Sequence, residues 1–159
     1  MVQLLIMRHG QAEPLQRDDA QRQLTQQGIH EVTQMGQWLS KRVEHIDMLL
    51  HSPYVRAVQT ATQVMLPFLS PNFQQESEDL IPSGNPETVC DYVDALIEIK
   101  QPKTILIVSH MPLVSYLLER FTRNTSTDIF DTAGIAQIDY DAEEMCGTLK
   151  EMSSPHSLF

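Results

Sequence analysis

Three short segments hold the residues best suited to chemistry. They are Arg8-His9-Gly10, Ser52-Pro53 with Arg56 one turn later, and Ser109-His110. Arginine presents a planar fork of donors that matches phosphate oxygens. A histidine among arginines is disfavoured as imidazolium by the neighbouring positive charge, so its ring is kept available as a neutral nucleophile. Attack by a ring nitrogen on phosphorus would give a phosphohistidine intermediate, which water would then hydrolyse. Phosphoryl transfer asks the protein mainly for positioning and charge stabilisation, which Arg8, Arg56 and His110 would supply to a nucleophilic His9. Gly10, without a side chain, would let the backbone come close to a bound group.

These segments work together only if the fold brings them together. Residues 2–7, 46–50 and 104–108 are short apolar runs that read as strands buried on both faces. One chemical segment follows each run. In an open parallel sheet, ligands bind beyond the carboxyl ends of the strands, so the three segments should meet at one sheet edge. Helices are expected between the strands. Residues 26–43 carry Ile29, Val32, Met35, Trp38, Leu39 and Val43 on one side, with Thr25 as N-cap. Ser52-Pro53 reads as N-cap and first helical residue of a helix reaching about Leu66, its amides aimed at the same edge. Asn85-Pro86 repeats the device, and Pro112 opens a further helix. Residues 135–140 and 148–152 read as a strand pair around a turn at 143–147, followed by a frayed tail from Ser153. Residues 11–23 and 67–84 read as loops. The expected architecture is α/β: a three-layer α/β/α sandwich with a mostly parallel central sheet, one domain over residues 1–159.

Bulk properties narrow the function. A formal net charge of -10 and a pI near 4.9 exclude a general nucleic-acid binder, which needs a basic face. They also make a cluster of Arg and His conspicuous as a local positive pocket. No apolar run approaches a membrane span, and no signal-peptide pattern precedes Arg8. Cys90 and Cys146 sit in no CxxC pattern and read as two reduced thiols rather than a disulfide, so a cytoplasmic location is expected.

"LIMRHGQAEP", "HSPYVRAVQTA" and "VSHMPLV" occur in that order and resemble the signature of the histidine phosphatase superfamily, the phosphoglycerate mutase-like fold. The resemblance covers nearly the whole chain. It implies that His9 is the phosphorylated nucleophile and that Arg8, Arg56 and His110 are phosphate-pocket residues. "RQLTQQG" resembles a further family segment, with Gln23 where proline is usual, and makes Arg22 a phosphate contact as well. Short length, "SHMPLVSYL" and "PSGNPETV" bring the chain nearest to the SixA-type phosphohistidine phosphatases. That likeness implies no metal or organic cofactor. It also implies a partner carrying phosphohistidine, either a histidine phosphotransfer domain of a signalling relay or a phosphocarrier protein.

One departure bears on substrate. Many relatives place a glutamate general acid where this chain reads "SEDLIPSG", and Asp79 is the nearest match at altered spacing. A phosphate ester leaves as an alkoxide and needs a proton from a positioned acid, whereas a protonated imidazole leaves readily without one. Phosphohistidine is therefore the preferred substrate. A small-molecule phosphomonoesterase or mutase is the first alternative, and a non-catalytic module that binds phosphorylated proteins is the second. His9 argues against the module, since a pure binder can dispense with a nucleophile.

Simpler readings apply elsewhere. His30, His45 and His156 read as solvent-exposed, and His51 as a plain strand-end residue. The histidines form no HxH or HExxH pattern, so no metal site is expected. Ser109 lies in no GxSxG elbow. Ser52 and Thr60 read as structural, one as N-cap and the other as helix packing.

Overall fold

The computed structural model describes residues 1–15, 18–124 and 128–159. Residues 16–17, part of the loop expected at 11–23, lie outside the described residues.

The apolar runs build the middle of a six-stranded sheet. Its strands are β1 (Val2–Arg8), β2 (Met48–His51), β3 (Phe73–Glu76), β4 (Thr104–Ser109), β5 (Ile135–Asp141) and β6 (Cys146–Ser153). Their order is β3-β2-β4-β1-β5-β6. The first four are parallel, while β5 runs antiparallel to β1 and β6 antiparallel to β5. Every residue of β2 and β4 is buried, because helices cover both faces of the sheet.

Alternation along the strands splits the core in two. Leu4, Ile6, Ile105 and Ile107 face α3 (Pro86–Lys100) and α4 (Leu113–Thr122). Leu5, Met7, Leu106 and Val108 face α1 (Gln26–Ser40) and α2 (Val55–Val64). A single-residue slip would exchange the two sets, so the register that sets the site is held by both layers. The three layers agree with the expected sandwich.

Four local expectations are corrected. β3 falls inside the segment read as a loop; it is an edge strand whose Gln74, Gln75 and Glu76 are exposed, so it lacks an apolar run. α2 begins at Val55 with Tyr54 as its N-cap residue, not at Ser52-Pro53, and it ends at Val64. Ile29 lies at the rim of α1 and is 36% exposed, outside the buried stripe. The tail from Ser153 is not frayed. Ser153, Ser154 and Pro155 are buried, and a capping box between Ser154 and Ser157 opens the last helix, α5 (Pro155–Leu158).

Candidate active site

Register brings the three chemical segments level. Arg8 on β1 pairs with Ser109 on β4, and His51 on β2 pairs with Val108. The ladders then run one residue further, with His9 N donating to the Ser109 carbonyl at 3.0 Å and Ser52 N to the Val108 carbonyl at 3.1 Å. Arg8, His9, Arg22, Arg56 and His110 therefore line one pocket of about 400 Å³ at the carboxyl edge of the parallel strands.

His9 is 7% exposed. Its Nδ1 lies 2.7 Å from the Gly10 carbonyl oxygen, which can only accept, so Nδ1 carries the proton. Nε2 then holds the lone pair, and the Arg56 Nε–H points at it from 3.3 Å. Burial, and the charges of Arg56, Arg8 and Arg22, outweigh the Gly10 bond and lower the His9 pKa to about 4. The ring is thus neutral at pH 7, with its free nitrogen among three guanidinium groups. That nitrogen is equipped to attack an electrophile carrying negative charge.

Around it stand donors without acceptors. Arg8 donates through Nη1 to the Phe130 carbonyl at 2.7 Å, while its buried Nε has no hydrogen-bond partner among the described residues. His110 stacks obliquely on His9, ring centroids 5.1 Å apart. Its Nε2 lies 2.8 Å from Ser52 Oγ, and its buried Nδ1 is likewise unpartnered. Ser52 Oγ already accepts the Tyr54 amide at 3.1 Å, so its own hydrogen is free to go to His110 Nε2. In the tautomer that accepts the Ser52 hydrogen, His110 carries its proton on Nδ1, a second unused donor. Burial first, then the nearby His9, Arg56, Arg22 and Arg8, hold His110 well below the ordinary histidine range. Buried unpaired polar groups are costly, and a tetrahedral oxyanion would satisfy them.

Arg56, at the start of α2, is 2% exposed. Thr60, one turn later, donates to the Arg56 carbonyl at 2.7 Å and accepts the Gly10 amide at 3.0 Å. One hydroxyl so ties the His9 segment to the Arg56 helix. Arg22 reaches the pocket from the turn before α1, donating to the Glu13 carbonyl at 3.0 Å.

Two expectations about the site change. Gly10 does not line the pocket: a Cβ there would lie 2.6 Å from Val32 Cγ2, so the glycine admits helix α1 rather than a ligand. Asp79 is exposed in a 3₁₀ turn outside the pocket, and its backbone packs against Gly84. His51 is buried and bonded to the Ser52 carbonyl, facing a different cavity.

Sequence reasoning missed Ser52, Thr60 and Asp19. Ser52 is not a helix cap but the residue that fixes the His110 ring. Its place directly after β2, level with His110, was the available signal. Asp19 pairs with both Arg22, three residues on, and Arg56. That i, i+3 spacing to Arg22 was legible, but the link to Arg56 was not.

The histidine phosphatase superfamily (branch 1) model matches residues 4–75. The chain is 33% identical to phosphohistidine phosphatase SixA of Escherichia coli (strain K12) over 157 residues, which is 99% of this chain and 96% of that protein. It is 35% identical to the SixA homolog of Haemophilus influenzae over 149 residues, 89% of this chain and 90% of that protein. The solved structure of the protein histidine phosphatase SixA complexed with tungstate superposes with a TM-score of 0.93 at 33% identity, covering 99% of this chain and all of that one.

Proposed function

The chain belongs to the histidine phosphatase superfamily, and from that premise we propose that it is a phosphohistidine phosphatase working through a phosphoenzyme on His9. The observation that carries this reading is the neutral His9 ring, its Nδ1 proton held by Gly10 and its unprotonated Nε2 accepting from Arg56 at 3.3 Å.

In the first step Nε2 attacks phosphorus and the P–N bond of the substrate breaks. The electron pair leaves on the substrate imidazole, which departs neutral because its other nitrogen carries the proton. Arg8, Arg22, Arg56 and His110 donate to the oxygens as charge gathers on them. Phosphorylated His9 keeps its Nδ1–H donated to the Gly10 carbonyl, whose dipole stabilises the positive charge on the ring. In the second step water attacks phosphorus, the P–Nε2 bond breaks, and its electron pair returns to the ring. The water proton leaves with phosphate or to solvent.

The absence of a proton donor among the described lining residues favours phosphohistidine over a phosphate ester. Asp79 lies outside, and Asp19, the carboxylate that does line the pocket, is held ionised by Arg56 and Arg22. A substrate that leaves as neutral imidazole needs no acid. The assigned substrate is a phosphohistidine-bearing protein, a phosphotransfer domain or phosphocarrier, and a role in signalling in the cytoplasm goes with it. No helix among the described residues is long and apolar enough to cross a membrane.

The test compares phosphate release from a phosphorylated phosphotransfer domain, p-nitrophenyl phosphate and 3-phosphoglycerate, with wild type and His9→Ala. Fast release from the phosphoprotein alone, lost in His9→Ala by a factor on the order of 10⁴, is expected. Faster turnover of either ester would move the substrate to the small-molecule branch.

A further inference from the structure

Asp19 places a carboxylate beside two of the three guanidinium groups that line the pocket. Its Oδ1 accepts Arg22 Nε at 2.8 Å and its Oδ2 accepts Arg56 Nη2 at 3.2 Å. Its carbonyl accepts Arg56 Nη1 at 2.7 Å. The short 3₁₀ turn Asp19–Gln21, opened by the Asp18 side chain on the Ala20 amide, presents all three acceptors at once.

This engagement determines what remains of each guanidinium. Arg56 has given Nη1 and Nη2 to Asp19, so the donor it turns to His9 is Nε. Arg22 has given Nε to Asp19 and Nη1 to Glu13. Three arginines around one small pocket would otherwise hold inorganic phosphate, the product, very tightly. A fixed negative charge beside two of them lowers that affinity, because charges this close and partly desolvated interact strongly. The carboxylate is unsuited to acid catalysis. Burial would raise its pKa, but the hydrogen bond from Arg56 and the charges of Arg56 and Arg22 outweigh this and hold it below the usual carboxylate value.

We infer that Asp19 is a positioning residue with two effects: it fixes Arg56 so that Nε faces His9 Nε2, and it weakens the hold of the pocket on free oxyanions so that product leaves. This rests on the proposed phosphatase function for its consequence in turnover. Its consequence for anion binding rests on geometry alone.

The experiment measures tungstate binding by calorimetry, thermal melting, and kcat on the phosphorylated phosphotransfer domain, for wild type, Asp19→Asn and Asp19→Glu. For Asp19→Asn, tungstate binds about tenfold more tightly while kcat falls about tenfold, since the negative charge beside the guanidiniums is gone and Arg56 keeps the Asp19 backbone carbonyl but loses its ion pair. Asp19→Glu keeps the charge, so its tungstate affinity stays within about threefold of wild type while kcat recovers in part. A residue that merely held the turn would give weaker tungstate binding together with lower kcat. That outcome overturns the proposal, as does an Asn variant with wild-type binding. Should Asp19→Asn fail to fold, tungstate affinity of Asp19→Glu outside the threefold window overturns it alone. If wild type proves inactive on phosphohistidine, the function fails, yet the tungstate comparison still decides the role of Asp19.

Discussion

The two ends of the parallel strands both carry a cavity and several cations, yet they differ in kind. At the amino ends of β2, β3 and β4 lies a cavity of about 670 Å³, larger than the pocket around His9, with Arg42, His45, Lys100 and Lys103 among its lining. There the cations are exposed, and Arg42 and Lys100 have partners. Arg42 reaches Glu151 at 3.0 Å and stacks over Trp38 at 4.4 Å. Lys100 lies over Phe73 at 4.6 Å, and Asp47 holds the Lys103 and Thr104 amides at 2.8 Å. At the carboxyl edge Arg56, His9 and His110 are buried, burial and neighbouring charge push both imidazoles below the ordinary histidine range, and Arg8 Nε and His110 Nδ1 have no partner among the described residues. Size does not mark the site. Buried charge with unspent hydrogen bonds does, because an arriving anion meets both the charge and the donors.

Substitutions at the two ends should therefore diverge. Arg56→Ala removes the donor to His9 and a buried cation, and phosphate release should fall by about 10²–10³. Lysine should not restore it, having no fork to meet both Asp19 and His9. A loss below tenfold would erase the contrast.

Ser52→Ala sharpens it. Without the hydroxyl, His110 Nε2 and the Tyr54 amide lose their shared partner, and the His110 tautomer is no longer fixed. Activity should drop about tenfold and stability by about 1–3 kcal/mol, read by steady-state kinetics and denaturant melts. Unchanged kinetics would return Ser52 to a structural role.

Acid separates the ends without mutation. The unfolded chain takes up a proton on His9 near the ordinary value of 6.5, but the folded chain does so only near 4. Folding stability from keeping this ring neutral is thus fully present above 6.5 and is lost as pH falls toward 4. His110 acts in the same direction. Ring-nitrogen NMR should find His9 neutral at pH 5.5, and added tungstate should raise its midpoint by stabilising the charged form. A free-protein midpoint in the ordinary range would contradict the electrostatics of the pocket.

The smallest effect is expected at the opposite edge. Arg42→Ala and Lys100→Ala remove exposed partners of the kind that contribute little, so activity should stay within about twofold and stability within about 0.5 kcal/mol. A marked loss of turnover from either would show that the larger cavity has a part in function.

Much of the site was legible in the sequence because parallel strands align by their apolar runs. Placing Arg8, His9, Arg56 and His110 at one edge required only that three buried strands end level. What escaped depended on side chains meeting across the fold. Ser52 looked like a cap because Ser-Pro so often opens a helix, yet α2 starts at Val55 and the hydroxyl serves His110. Gly10 looked like a ligand-facing gap, but Val32 of α1 fills that space. β3 escaped because an exposed edge strand needs no apolar run. Arg22 was legible only through resemblance, and its tie to Asp19 explains how a surface turn is drawn into the pocket.

The most direct test of the central claim is to find the phosphoryl group on the enzyme during turnover. The protein is mixed with a phosphorylated phosphotransfer domain and denatured in alkali, which preserves P–N bonds. Phosphorus NMR then identifies the nitrogen, with His9→Ala alongside. A phosphoryl group on Nε2 of His9, absent in the variant, is the predicted result. Turnover with phosphate on Nδ1, on another residue, or on none would contradict a nucleophile oriented by Gly10 and Arg56.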